Sequence, residues 1–215
     1  MINNFLKRTI SAVLFGGILV FLLMRYNKFD KMFFVAILCL MLIEWFKINN
    51  NKKSLLFYSG LLYISFPITW LIQSPMVQNK DILWLFSIVW SCDTFAYIGG
   101  KLIGGPKFSP NISPNKTWAG VIVGSVCSFV VSYLYIKYVF DTLHYIKLLF
   151  TPFLIISSIL GDLLESKIKR ILKVKDSGNI IPGHGGILDR FDGFILTTYV
   201  YIIYIIINGI LKLLD

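Results

Sequence analysis

Apolar runs long enough to cross a lipid bilayer recur from one end of this 215-residue chain to the other. A spanning helix needs roughly 20 apolar residues, and backbone in hydrocarbon must pair its polar groups internally. Seven runs come near that length: 9–24, 32–46, 55–73, 82–102, 117–140, 145–160 and 193–211. The pattern predicts an all-α, polytopic membrane bundle of about seven helices. Pro67 inside the third run, with Pro75 beyond it, predicts a kink or break there. Only 15% of residues are charged, against about 25% in soluble domains, which excludes a disordered chain, a coiled coil and an ordinary cytosolic globule.

The first run follows Lys7 and Arg8 as a signal peptide would. It ends in Met24-Arg25-Tyr26-Asn27-Lys28 without a small-residue cleavage site, and is expected to remain as a membrane helix. With the N-terminus inside and seven helices alternating, 14 of the 21 Lys and Arg face the cytoplasm. The net charge of +10 is therefore read as loop bias and affinity for anionic lipid or substrate, not for nucleic acid. Cys39, Cys92 and Cys127 all lie within apolar runs, so neither a disulfide nor a zinc site is expected. The chain reads as one integral membrane domain over 1–215, with N-terminal helices in 1–80 and catalytic helices and loops in 81–215.

The chemistry concentrates in two loops, 101–116 and 162–192. Five of the 11 Asp and Glu fall in the second: Asp162, Glu165, Asp176, Asp189 and Asp192. Asp162, Glu165, Ser166 and Lys169 share one face if the preceding helix continues through Gly161. Asp189 and Asp192 repeat that spacing just ahead of the last apolar run, expected to begin at Gly193. Two acid pairs joined to spanning helices suit a hard cation such as Mg²⁺ at the membrane edge. Between them, Pro182-Gly183-His184-Gly185-Gly186 reads either as a phosphate cradle or as a tight turn, and His184 as a phosphate contact, proton handler or loop-fixing donor. In the first loop, Ser113-Pro114-Asn115-Lys116-Thr117-Trp118 predicts a helix capped by Ser113 with Pro114 in its first turn, its N–H groups and Lys116 suited to phosphate. Asp93 is a carboxylate within an apolar run; with Ala96, Tyr97 and Gly100 it is expected to line the bundle interior. Glu44, beside Trp45 and Lys47, is expected to form an interfacial salt bridge.

These motifs resemble a known family. Ser166-Lys167-Ile168-Lys169-Arg170, then Lys175-Asp176-Ser177-Gly178, then Pro182 to Asp192 (PGHGGILDRFD) resemble the signature of the phosphatidate cytidylyltransferases, with each defined position filled. Gly161-Asp162-Leu163-Leu164-Glu165, Asp93-x-x-Ala96-Tyr97 and the 113–118 segment are similar to further motifs of that family, so the resemblance spans about residues 85 to 195. It implies transfer of CMP from CTP to phosphatidate, giving CDP-diacylglycerol and pyrophosphate. It also implies Mg²⁺, with a second, monovalent cation such as K⁺, held by Asp162, Asp189 and Asp192 beside Ser166. Lys169, Arg170, Lys175 and Arg190 would hold phosphates, with Lys116 and Ser113 adding contacts; Asp176, His184, Gly185 and Gly186 join the substrate site. Asp93 and Tyr97 would support the metal or nucleotide. The implied setting is a bacterial-type plasma membrane, the site facing the cytoplasm, with a homodimer as the family's assembly. Two other readings compete with it. A CDP-alcohol phosphotransferase needs Ala-Arg soon after Asp-Gly, but Asp192-Gly193 is followed by Phe194-Ile195-Leu196-Thr197. A transporter or channel would place Asp93 and Glu44 on an ion path.

Overall fold

The computed structural model describes residues 16–24, 29–49, 54–140, 144–180 and 185–214. Seven helices and one small hairpin occur among them: α1 (16–24), α2 (Phe29–Ile48), α3 (Leu55–Gln73), α4 (Asn79–Ile103), β1 (Lys107–Ser109), β2 (Ser113–Thr117), α5 (Trp118–Val139), α6 (Tyr145–Ile171) and α7 (Leu188–Leu214). Five, namely α3, α4, α5, α6 and α7 over Leu188–Leu211, are long and apolar enough to cross a membrane. The first part of the expected run 9–24 lies outside the described residues.

Helix α3 runs through the buried Pro67 without the break that the sequence allowed there. It ends at Gln73 instead, with Ser74 extended ahead of Pro75, as the residue before proline prefers. Helix α6 does continue through Gly161 and reaches Ile171. There the chain turns through Lys173 at φ 59°, a left-handed conformation usually left to glycine at helix ends. Helix α7 begins at Leu188, five residues before the expected Gly193, so Asp189 and Asp192 belong to its first turns.

The chain forms two compact units. The first contains Met1–Asn79 and Ile168–Phe191, the second Lys80–Lys167 and Asp192–Asp215. In the first unit, α2 and α3 form an antiparallel-type hairpin locked by Trp45. Its indole Nε1 donates to the carbonyl of Phe57 at 3.1 Å, and its ring fills the notch left by Gly60.

In the second unit, α5 presents Gly120, Gly124, Ser128, Ser132 and Ile136 as one buried stripe, each a turn from the next. The stripe lies against α4 in antiparallel register. A Cβ at Gly120 would stand 2.6 Å from the Ala96 carbonyl, and one at Gly124 2.7 Å from that of Cys92. Ser128 Oγ donates to the Ile88 carbonyl at 2.8 Å. Trp84 Nε1 donates to Ser132 Oγ at 2.8 Å; Ser132 meets Thr151 Oγ1 at 3.0 Å, and Thr151 donates on to the Lys147 carbonyl at 3.0 Å. Small residues admit this close approach, and hydroxyls replace the water that hydrocarbon cannot supply. The opposite face of α5, with Ile122, Val126 and Val130, is exposed, as a lipid-facing surface requires. Phe86 of α4 stacks on Phe194 of α7 at 4.0 Å between ring centroids. At the start of α6, buried Lys147 pairs with buried Asp81 of α4, its Nζ 3.7 Å from the Phe140 ring centroid and 4.9 Å from that of Trp84.

Replacing Gly124 with Val is expected to lower stability in detergent by about 1–3 kcal/mol, the usual cost of overpacking. Val126→Leu, on the exposed face, should leave the thermal unfolding midpoint unchanged.

Candidate functional site

The second unit carries a cleft of about 410 Å³ lined by Asp93, Tyr97 and Lys101 of α4, Asn115 and Lys116 of β2, and Asp162 of α6. Its wall is set by a hairpin in a region read from sequence as loop and helix start. Strands β1 and β2 pair antiparallel, Lys107 opposite Thr117 and Ser109 opposite Ser113. Ser113 therefore lies in a strand and is not the cap of α5. Thr117 takes that role: its backbone is extended (φ −117°, ψ 155°), and its Oγ1 accepts from Gly120 N at 3.1 Å. Pro114 is as compatible with an edge strand as with a first helical turn, and that ambiguity misplaced the cap by four residues. Lys116 consequently projects from the strand that feeds the helix, where it pairs with Asp162, both side chains 25% exposed.

Asp162 also accepts from Ser166 Oγ at 3.3 Å, one turn along α6. At Gly161, next to it, α6 and α7 cross closely: a Cβ there would stand 2.6 Å from the Asp192 carbonyl, and one at Gly193 2.9 Å from Ser158 Oγ. Asp162 and Asp192 thus each flank a crossing glycine. Asp192 Oδ1 accepts from Gly193 N at 2.6 Å. Asp93 and Tyr97 line the cleft as exposed residues, Tyr97 at 69%, while Ala96 faces α5; the interior placement expected for this whole stripe holds for Ala96 and Gly100 only.

The first unit carries a second cluster. Lys169 Nζ lies 2.6 Å from Asp189 Oδ1. Asp189 also accepts from the backbone N of Ser177 at 2.9 Å and of Gly186 at 2.8 Å. Gly185, at φ 84°, permits that turn; a Cβ there would stand 2.7 Å from Asp189 Oδ2. In the described part of the glycine loop, then, the Gly186 N–H is turned on a carboxylate of the chain itself. Pro182, Gly183 and His184 lie outside the described residues. Arg170, Lys175, Asp176 and Arg190 are exposed; Arg170 donates to the Val174 carbonyl at 3.3 Å.

Glu44 is the residue whose role the sequence concealed. It forms no interfacial salt bridge among the described residues. It is buried, and its carboxylate accepts from Ser177 Oγ at 3.0 Å, Ile187 N at 2.9 Å and Leu188 N at 2.9 Å. Those N–H groups open α7 and have no partner within the helix, and a carboxylate is favoured there by the helix dipole.

The cytidylyltransferase family model matches residues 52–208. The chain belongs to this family. The phosphatidate cytidylyltransferase of Rickettsia bellii (strain RML369-C) is 37% identical over 218 residues, covering 97% of this chain and 92% of that protein. The enzyme of the same name from Rickettsia typhi (strain ATCC VR-144 / Wilmington) is 36% identical over 209 residues, 93% of this chain and 91% of its own. That of Staphylococcus haemolyticus (strain JCSC1435) reaches 53% identity over 114 residues, 53% of this chain and 44% of its own. The family match contains the hairpin, both carboxylate–lysine pairs and the Gly161–Gly193 crossing; Glu44 precedes it.

Thr117→Ala is expected to destabilise the protein by about 1 kcal/mol through loss of the cap. Ser113→Ala should be neutral, and thermal unfolding of the two variants distinguishes the caps.

Proposed function

We propose that this chain transfers the cytidylyl group of CTP to phosphatidate, releasing CDP-diacylglycerol and pyrophosphate. The observation that carries this reading is the cleft in which Lys116 meets Asp162 at the head of α5, within a chain that matches phosphatidate cytidylyltransferases over nearly its whole length. A phosphate oxygen of phosphatidate forms the new bond to the α-phosphorus of CTP, and the bond from that phosphorus to the α,β-bridging oxygen of CTP breaks, that oxygen leaving as a terminal oxygen of pyrophosphate. The nucleophile is ionised already, so no side chain need be activated. Both reactants are polyanions, and the barrier is largely electrostatic.

The residues fit a hard cation. Among the described residues no three of Asp, Glu, His and Cys form a metal-binding group. Magnesium, however, commonly takes one or two carboxylates and completes its shell with water and substrate phosphates. Asp162 and Asp192 flank the α6–α7 crossing and Ser166 adds a hydroxyl; these would hold Mg²⁺. The Lys116 ammonium against Asp162 marks a position where a positive charge is already favourable, and the Lys169 ammonium does the same at Asp189. A bound Mg²⁺, or a monovalent cation such as K⁺ beside it, supplies charge neutralisation for phosphate oxygens. Lys116, paired with Asp162 at the edge of the cleft, is placed to hold a substrate phosphate there. Lys101 borders that cleft too; in the first unit, taken by itself, Arg170, Lys175 and Arg190 are exposed cations suited to phosphate. The excess of Lys and Arg that the seven-helix reading of the sequence places inside supports a cytoplasmic site, which soluble CTP requires.

Purified protein in detergent, given phosphatidate, Mg²⁺ and labelled CTP, is expected to move label into the organic phase. Asp162→Asn should reduce this by about 100-fold or more, the scale of losing one charge-stabilising group in such a site. Chelation of Mg²⁺ should abolish it. A folded, CTP-binding protein that makes no labelled lipid would overturn the assignment.

A further inference from the structure

Glu44 and Asp189 grip the same stretch of the first unit from two sides. Ser177 donates its backbone N–H to Asp189 at 2.9 Å and its hydroxyl to Glu44 at 3.0 Å. Nine residues later, Gly186 N turns to Asp189 at 2.8 Å, while Ile187 N and Leu188 N, each at 2.9 Å, turn to Glu44. The segment around Ser177 is thereby tied to the head of α7 by two carboxylates. The fit is tight: a Cβ at Gly178 would stand 2.7 Å from Glu44 Oε1, and one at Gly186 would collide with Ser177 Oγ and Glu44 Oε2. Glu44 is itself immobilised, because the adjacent Trp45 is fixed to α3 through the Phe57 carbonyl and the Gly60 notch. The outer side of the clasp forms a cleft of about 600 Å³, in which Glu44 and Ser177 are joined by Lys47, Asp176 and Asn179.

We propose that Glu44 is a positioning residue for the cytidylyl transfer: held by the α2–α3 hairpin, it sets the segment 176–178 and the head of α7, and with them the Asp189–Lys169 pair. The inference rests on the transferase reading above. It extends the functional machinery to a helix that precedes the family-matched residues 52–208. The carboxylate is chemically required, not merely accommodated. Glutamine has one acceptor oxygen, whereas the two oxygens of Glu44 accept from two backbone N–H groups and a hydroxyl. Glu44→Gln therefore strands at least one buried N–H and loosens both ends of the clasp.

The test uses the full-length protein in detergent and two readouts. In Glu44→Gln, the KM for CTP is expected to rise about tenfold, the scale of one lost hydrogen bond to a charged group. Hydrogen exchange across 176–178 and 185–189 should accelerate. Ser177→Ala should reproduce the KM change in part, and the double variant should fall short of the sum, because both act through one clasp. If Glu44→Gln does not fold, Ser177→Ala carries both readouts. A loss of active protein with KM and exchange unchanged, or strictly additive effects, would overturn the proposal. Absence of labelled lipid from the wild-type protein would instead defeat the transferase reading, with the exchange measurement still reporting on the clasp.

Discussion

Close backbone approach at glycine is the constraint on which the second unit depends. At Gly120 and Gly124 it brings α5 onto the carbonyls of α4, and at Gly161 and Gly193 it brings α6 onto α7. In hydrocarbon no gain comes from hiding apolar surface from water, so helices associate through close van der Waals contact and shared hydrogen bonds. The crossings also dictate where polar groups emerge. Asp162 and Asp192 adjoin the two glycines of one crossing. Thr117, Lys116 and the hairpin sit at the end of the other. The cleft is thus a by-product of the same packing that holds the helices together, which makes its geometry as rigid as the bundle.

Charge follows a consistent rule within each unit. Asp162 meets Lys116, Asp81 meets Lys147 and Asp189 meets Lys169. The pairs differ in surroundings. Asp81 and Lys147 are buried among aromatic rings, whereas Lys116 and Asp162 face an open cleft and can exchange partners at small cost. Partly exposed pairs of this kind contribute little to stability, since water screens them. Their worth lies in holding charge ready for a polyanionic ligand.

Much of this was legible in the sequence because it is local. The stripe Asp162, Glu165, Ser166 and Lys169 depends only on helical spacing, and α6 does carry it past Gly161. The spans from α3 to α7 follow from apolar run length. The hairpin at 107–117 was less legible, since Ser-Pro-Asn-Lys-Thr satisfies the rules for a helix start and for an edge strand alike; pairing with Lys107–Ser109 decides between them. Glu44 was opaque for another reason. Its partners lie 133 to 144 residues away, and no local pattern distinguishes a glutamate bound for an interface from one that caps a distant helix. Asp189 shows the same limit: the spacing to Asp192 was plain, but its hold on Ser177 and Gly186 depends on how the intervening chain returns.

The buried pair of Asp81 and Lys147 also bears on how such a chain enters the bilayer. Each charge would be costly to leave alone in hydrocarbon, and each stands at the start of a different spanning helix. Neither α4 nor α6 can settle to its final depth until the other is beside it, so the two helices must be accommodated as a unit with α5 between them. The same dependence acts across generations. Asp81 changed by itself leaves the Lys147 ammonium among Trp84, Phe140 and Tyr204 without its carboxylate, and Lys147 changed by itself removes the cation from a buried Asp81, whereas a joint change to an apolar pair of similar volume is expected to be tolerated. The two positions are therefore expected to drift together, a coupled substitution imposed by membrane insertion and not by catalysis.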